Sequence, residues 1–332
     1  NNEAQQAKDE TINLSQKQVK RESKFPYFVD AVVLEAEKLL KEKGMAPADL
    51  YRAGLHIYTT LDVPVQEKME SVYADASNFP RSSGDVPVES AMAVLDPTSG
   101  EIRGILGGRE HTVERGLNRA TQGKRQPGSS IKPVAVYAPA LEQGYAPATV
   151  VDDVPVTYRG SGSTAYSPGN YDGRYRGLIT MREAVKYSVN IVAVKVLEQI
   201  GVDSGYNFAT KLGLSLVPDD KGLSLALGGL TNGVSPLEMA SAYAAFPRNG
   251  VYTHPYLYTV VTDSNGKVIL SNGDYDVAFD DNKQATITGQ ASSKTILSER
   301  TTFYMNSMLQ NVVTSGTGTS ARLSGMTAAG KT

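Results

Sequence analysis

Residues 125–133 read RQPGSSIKP, and the local chemistry of this stretch constrains everything around it. Pro127-Gly128 predicts a break followed by a helix start. Pro133 fits within the first turn, where an N–H has no intrahelical partner. On a helix, positions i and i+3 share a face, so the Ser129 hydroxyl and the Lys132 amine can meet. Burial and the positive helix N-terminus both disfavour an ammonium there. A lysine so placed can be partly neutral near pH 7 and accept a serine proton. The helix end also sets backbone N–H groups beside Ser129, where an oxyanion can form. Taken alone, the pattern is more simply a serine cap followed by a solvated lysine.

Ser-x-x-Lys occurs a second time, at Ser264-Asn-Gly-Lys267. That copy falls on a predicted hairpin turn, where nothing would desolvate the lysine, so it is read as a decoy. Ser188-Val-Asn190 lies at the break between two predicted helices. A short loop there aims a hydroxyl and a carboxamide into one cleft. Ser188 can relay a proton to a leaving amine, and Asn190 can hold Lys132 and a substrate amide. Ordinary loop capping is the plainer alternative. Lys331-Thr332 closes the chain and, on a strand edge, offers a cation and a hydroxyl to a substrate carboxylate. The order Ser-x-x-Lys, Ser-x-Asn, Lys-Thr carries more weight than any one part. It matches the known motif set of serine β-lactamases and penicillin-binding proteins.

Composition narrows the alternatives. The 332 residues hold 40% hydrophobic and 20% charged side chains, enough for a sizeable core. A net charge of -2, from 33 basic and 35 acidic residues, gives no bulk reason to bind nucleic acid. The absence of cysteine excludes disulfides, thiol catalysis and Cys-ligated zinc. His56, His111 and His254 sit in no setting that suggests a metal site or a Ser-His-Asp triad, and neither metal nor cofactor is expected. No run approaches the ~20 apolar residues of a membrane span.

Element patterns point to an α+β fold. Val29, Val32, Val33, Ala36, Leu39 and Leu40 recur at helical spacing up to Gly44. GLHIYTTLD (54–62) reads as a strand, followed by a short helix from about Pro64 to Ala76. Residues 77–88 are turn-rich and mark a boundary. AMAVLDPTSGEIRGIL (91–106) and YTVVTDSNGKVIL (258–270) read as hairpins. Helices are expected between them and once more near residues 304–313, so that helices pack on an antiparallel sheet.

The resemblance becomes specific over longer stretches. RQPGSSIKP (125–133), YSVN (187–190), LGGLTNGVSPLEMASAYAAF (227–246) and TSARLSGMTAAGKT (319–332) resemble the transpeptidase domain of class A, bifunctional penicillin-binding proteins. YSPGNYDGRYRGLITMREAVKYSVN (166–190) is similar to that family's approach to its second motif. FPYFVD (25–30) and GLHIYTTLD (54–62) resemble the linker that joins its glycosyltransferase and transpeptidase domains. The resemblance implies a polar tail over 1–23, an interdomain linker over 24–80 and a transpeptidase domain over 81–332, cut within its third motif. It implies the penicillin-binding/serine β-lactamase-like fold, with a central antiparallel sheet flanked by helices.

The same resemblance implies roles. Ser129 would be the acylated nucleophile, Lys132 its general base, Ser188 and Asn190 the second motif, and Lys331 and Thr332 the carboxylate-binding pair. The activity implied is DD-transpeptidation of peptidoglycan stem peptides ending in D-Ala-D-Ala, blocked covalently by β-lactams. The resemblance implies that the parent protein's glycosyltransferase domain lies outside this chain. The parent protein is expected to be membrane-anchored by a segment outside it, to face the extracytoplasmic side, and to work with other cell-wall synthesis proteins. The chain is expected to continue with glycine and on the order of 100 further residues, which complete the sheet. A DD-carboxypeptidase, a serine β-lactamase and a non-enzymatic penicillin sensor are the competing readings. The linker-like residues 24–62 argue against the first two, and the presence of both Ser129 and Lys132 argues against the third.

Overall fold

The structure is a computed structural model that describes residues 23–332, except 85, 160–164, 281 and 283. The polar tail read over 1–23 therefore lies outside the described residues, apart from its last one. Helix α1 (Pro26–Glu42) buries Phe28, Ala31, Val32, Ala36 and Leu40 on one face. Val29, read as part of that face, turns outward at 37% exposure. Gly44 ends the helix with φ +79 while Met45 N–H returns to Leu40 O, a closure that favours glycine. A single turn, α2 (Asp49–Arg52), leads into strand β1 (His56–Thr59) and helix α3 (Val63–Ala74). Asp62 caps α3 by accepting from Val65 N–H at 3.1 Å.

Both expected hairpins form. Strands β2 (Met92–Leu95) and β3 (Ile102–Leu106) pair antiparallel, Ala93 opposite Ile105. Further along the chain, β9 (Tyr258–Thr262) and β10 (Val268–Ser271) pair around Gly266 at φ +83, and β1 adds to β9's other edge. The remaining pairs are β4 (Val150–Asp153) with β7 (Gly177–Thr180), β5 (Tyr158–Arg159) with β6 (Ala165–Tyr166), and β8 (Val251–Thr253) with β13 (Ser293–Thr295). Strands β11 (Gly273–Phe279) and β12 (Ala285–Ala291) form a separate arm. All these pairs are antiparallel, in keeping with the α+β expectation. The expected continuous sheet is instead divided among them. Register shifts at Val94/Leu95 and Tyr58/Thr59 interrupt the ladders. The buried Thr60 hydroxyl bridges the gap, donating to Ile102 O at 2.8 Å and lying 3.2 Å from Tyr256 O.

Two apolar clusters result. Phe28, Leu40, Met69, Tyr73, Ile102, Ile105, Tyr258 and Val261 form the first, so α1 and α3 share a core with the two hairpins. The second is helical. It holds α4 (Ala138–Glu142), α5 (Met181–Lys186), α6 (Asn190–Ile200), α7 (Val202–Lys211), α8 (Pro236–Ala244) and α9 (Glu299–Ser315). Helix α6 lies at its centre, with Ile191, Val192, Ala193, Val194, Val196 and Leu197 inaccessible to solvent. A helix apolar on most sides is stable only when surrounded.

The helix expected from Pro127-Gly128 is not uniform. Gly128–Ile131 make a 3₁₀ turn, Pro133–Tyr137 a π-helical turn, and only then does α4 begin. Pro139 has no N–H to offer Ala135 O, so a regular ladder cannot run through this point. Gly205 of α7 packs against that carbonyl, and a Cβ there would sit 2.4 Å from Ala135 O. The irregular segment is thus held by close backbone contact with α7. Among the described residues no helix is long and apolar enough to cross a membrane.

Candidate active site

The 3₁₀ turn carries Ser129 half-buried at its second position, and Lys132 N–H closes the turn on Ser129 O. In 3₁₀ geometry residues i and i+3 eclipse, so both side chains leave on one side. Lys132 is inaccessible to solvent. Its Nζ donates to Ser188 O at 2.8 Å and Asn190 Oδ1 at 2.6 Å, and lies 3.3 Å from Ser188 Oγ. Those three contacts match the donors of an ammonium, and Ser129 is not among them. Ser129 therefore lies one turn from the amine without a direct hydrogen bond to it.

Ser188 sits in the three-residue connection between α5 and α6, and has φ +54. That left-handed backbone is uncommon outside glycine and marks a strained position held by its surroundings. Thr180 starts α5 by accepting from Glu183 N–H at 3.2 Å, without a reciprocal glutamate bond. At the start of α6, Asn190 presents Oδ1 to Lys132, while its Nδ2 donates to Gly169 O at 2.8 Å. One of its two amide protons is thus used by that carbonyl.

Lys331 Nζ donates to Ser188 Oγ at 2.8 Å and to Thr332 O at 2.7 Å. Thr332 Oγ1 pairs with Thr317 Oγ1 at 2.7 Å, which ties it to the glycine-rich turn after α9. The strand edge expected for Lys331-Thr332 is not formed. A strand exists only through a ladder partner, and the backbone bond from this stretch, Gly330 N–H to Leu309 O, goes to α9 instead.

The site thus holds two lysines around one serine hydroxyl. Burial, and then the charge of Lys331, pull the Lys132 pKa down to about 7. Burial pulls Lys331 down to about 8. Every partner of Lys132 is a neutral oxygen, so no carboxylate restores its charge. The arrangement suits proton transfer at neutral pH and an anionic ligand near Lys331. Ser264 and Lys267 are exposed on the β9–β10 turn, where Asp263 Oδ1 accepts from Asn265 and Lys267 N–H. Nothing on that turn desolvates the Lys267 amine. No cluster able to hold a metal occurs among the described residues.

Sequence reading missed the residues that hold the serine turn in place. Gln126 Oε1 accepts from Leu230 N–H at 2.6 Å, and its Nε2 donates to Leu230 O. Arg125 and Val234 exchange backbone bonds at 3.0 and 2.9 Å. Gly228, at φ +77, lies against Gly128 so closely that a Cβ would meet its N at 2.4 Å. The available signal was Gly228-Gly229 within LGGLTNG, a glycine pair where backbones meet.

Comparison with known proteins agrees with this geometry. Residues 90–332 match the family described as "Penicillin binding protein transpeptidase domain". Penicillin-binding protein 1F of Bacillus subtilis is 36% identical over 99% of the chain, which spans 42% of that relative's length. A crystal structure of penicillin-binding protein 1A from Haemophilus influenzae superposes with a TM-score of 0.57 at 28% identity, over 74% of this chain and 37% of that one. The penicillin-binding protein PonA1 from Mycobacterium tuberculosis shares the fold, with a TM-score of 0.68 at 24% identity, over 87% of this chain and 71% of that one. These relatives bear out the class A resemblance and the α+β transpeptidase fold, and the chain belongs to the penicillin-binding protein transpeptidase family.

Proposed function

We propose that this chain performs serine acyl transfer with Ser129 as nucleophile and Lys132 as general base. The observation that carries the reading is Lys132: solvent-inaccessible, bonded to Ser188 and Asn190, titrating near 7, and one turn from Ser129. The Ser129 hydroxyl attacks the carbonyl of a D-Ala-D-Ala bond, and its proton passes to Lys132 Nζ. The resulting oxyanion collapses, the C–N bond breaks, and the departing D-Ala amine takes a proton relayed through Ser188. An amine from a second stem peptide then attacks the ester, forms the cross-link and frees Ser129. A β-lactam follows the first half of this path, and its opened ring blocks the second. Lys331, with Thr332, binds the carboxylate of the stem or the drug, as the excess positive charge favours.

Cross-linking of peptidoglycan on the extracytoplasmic face belongs, in this reading, to the whole parent protein, working with stem peptides and other cell-wall proteins. Residues 24–80 serve as the interdomain linker, supported by the core that α1 and α3 share with the hairpins. The test is peptide mapping by mass spectrometry after penicillin treatment of the full-length protein. The adduct is expected on Ser129, persisting for long periods. An adduct on another residue overturns the assignment, and rapid turnover would mark a β-lactamase.

A further inference from the structure

We propose that Asn170 is the positioning residue that sets the geometry of Asn190, and through it of Lys132, with Asp153 fixing the orientation of the Asn170 carboxamide. The inference rests on the function proposed above. Helix α6 starts at Asn190, and the residue before it, Val189, has no side-chain group to cap it. The first N–H groups of a helix need an acceptor from elsewhere. Asn170 supplies it from another segment: its Oδ1 accepts from Asn190 N–H at 2.9 Å and from Ile191 N–H at 3.2 Å.

A carboxamide can be reversed, and here its other end decides the matter. Asn170 Nδ2 donates to Asp153 Oδ1 at 2.7 Å and to Arg174 O at 2.8 Å. Asp153 is inaccessible to solvent, and its second oxygen accepts from Arg176 N–H at 3.0 Å. Reversing Asn170 would set an NH₂ against two N–H donors and an oxygen against a carboxylate and a carbonyl. Buried groups so mismatched are costly, so one orientation prevails.

The adjoining Gly169 O takes Asn190 Nδ2 at 2.8 Å, which turns Asn190 Oδ1 toward Lys132 at 2.6 Å. Backbone and side chain of Asn190 are therefore both held by the 169–170 dipeptide. Ser or Asp at the N-cap is the commoner device. Capping from Asn170 instead ties the second-motif loop to the segment 167–176. Asn170 bonds none of Ser129, Lys132 or Ser188, so it acts through Asn190.

The experiment measures second-order acylation by a fluorescent penicillin between pH 5 and 9, in the full-length protein, beside thermal unfolding. Asn170→Ala is expected to slow acylation roughly 10- to 100-fold, the effect of misplacing a catalytic group by about 1 Å. The acid limb of its profile should also move to lower pH. Asn190 Oδ1 accepts from Lys132 and favours its ammonium, so loosening that contact lowers the pKa further. A residue that only stabilises the fold would lower the melting temperature and leave the limb in place. Asn170→Asp, which cannot donate to Asp153, should lose a similar factor. Adding Asp153→Asn to it restores a donor facing an acceptor, and acylation should recover severalfold. That pair keeps the test open if Asn170→Ala does not fold. Wild-type rates and an unmoved acid limb in the single variants overturn the proposal, as does a double variant no faster than Asn170→Asp. A wild-type protein not acylated on Ser129 would instead overturn the proposed function.

Discussion

Two copies of one tetrapeptide pattern lie in opposite environments. Lys132 is solvent-inaccessible and surrounded by three neutral oxygens, whereas Lys267 stands exposed on a turn whose geometry is set by Asp263 and Gly266. Spacing is identical, so spacing alone makes neither chemical. The difference is desolvation. A lysine that titrates near 7 rather than near 10.5 costs the fold roughly 4 kcal/mol at pH 7. Only a large apolar cluster can absorb that cost, and Lys132 sits beside the one containing Ile131, Val134 and Ala193.

The comparison breaks outright if the wrong serine reacts. Ser129→Ala should lose covalent penicillin labelling entirely, while Ser264→Ala keeps it in full, read by gel fluorescence. Next in size is the base. Lys132→Ala should acylate about 10²- to 10⁴-fold more slowly, the usual range for a lost general base, and Lys267→Ala at the wild-type rate. Stopped-flow acylation rates decide between them.

A pH profile sharpens the contrast. Lys132 must be neutral to take the proton, so activity falls as pH drops below about 7. At pH 5 the neutral fraction is lower by about 100-fold. Lys331 must be charged to bind a carboxylate, so activity also falls above about 8. The expected bell has its top between these values, and a rate still rising at pH 9 would remove Lys331 from its role.

The smallest effects separate the two glycines. Gly228→Ala drives a Cβ into the Gly128 backbone and should cost about 1–3 kcal/mol in thermal unfolding, with slower acylation. Gly266→Ala also strains a positive φ, but its Cβ meets the ring of Phe279, which is 43% exposed and can shift. About 1 kcal/mol of stability and no change in acylation are expected there. Equal acylation by both variants would mean that the 228–234 loop does not position the serine turn.

Much of the fold was legible because its signals are local. Apolar spacing gave α1 and α9, and turn residues gave both hairpins and the Asn265-Gly266 tip. The helix start predicted at Pro127-Gly128 leaves the mixed course of 128–142 undecided, because helical spacing does not distinguish 3₁₀, π and α turns. Missing Pro139 N–H and the approach of Gly205 settle that, and the second is invisible locally. Asn170 is invisible locally for the same reason, since a cap contributed 20 residues upstream has no sequence periodicity.

By itself the sequence supplied the candidate groups and their order: Ser129, Lys132, Ser188, Asn190, Lys331 and Thr332, on a chain with no cysteine to compete. It also determined the helix and hairpin inventory, because propensity and turn chemistry act over a few residues. The tertiary structure alone decided which Ser-x-x-Lys is buried, which way Asn190 points, and that Lys331 reaches Ser188 across 143 positions of chain. Burial and hydrogen-bond partners are properties of segments far apart in sequence, so no local pattern contains them.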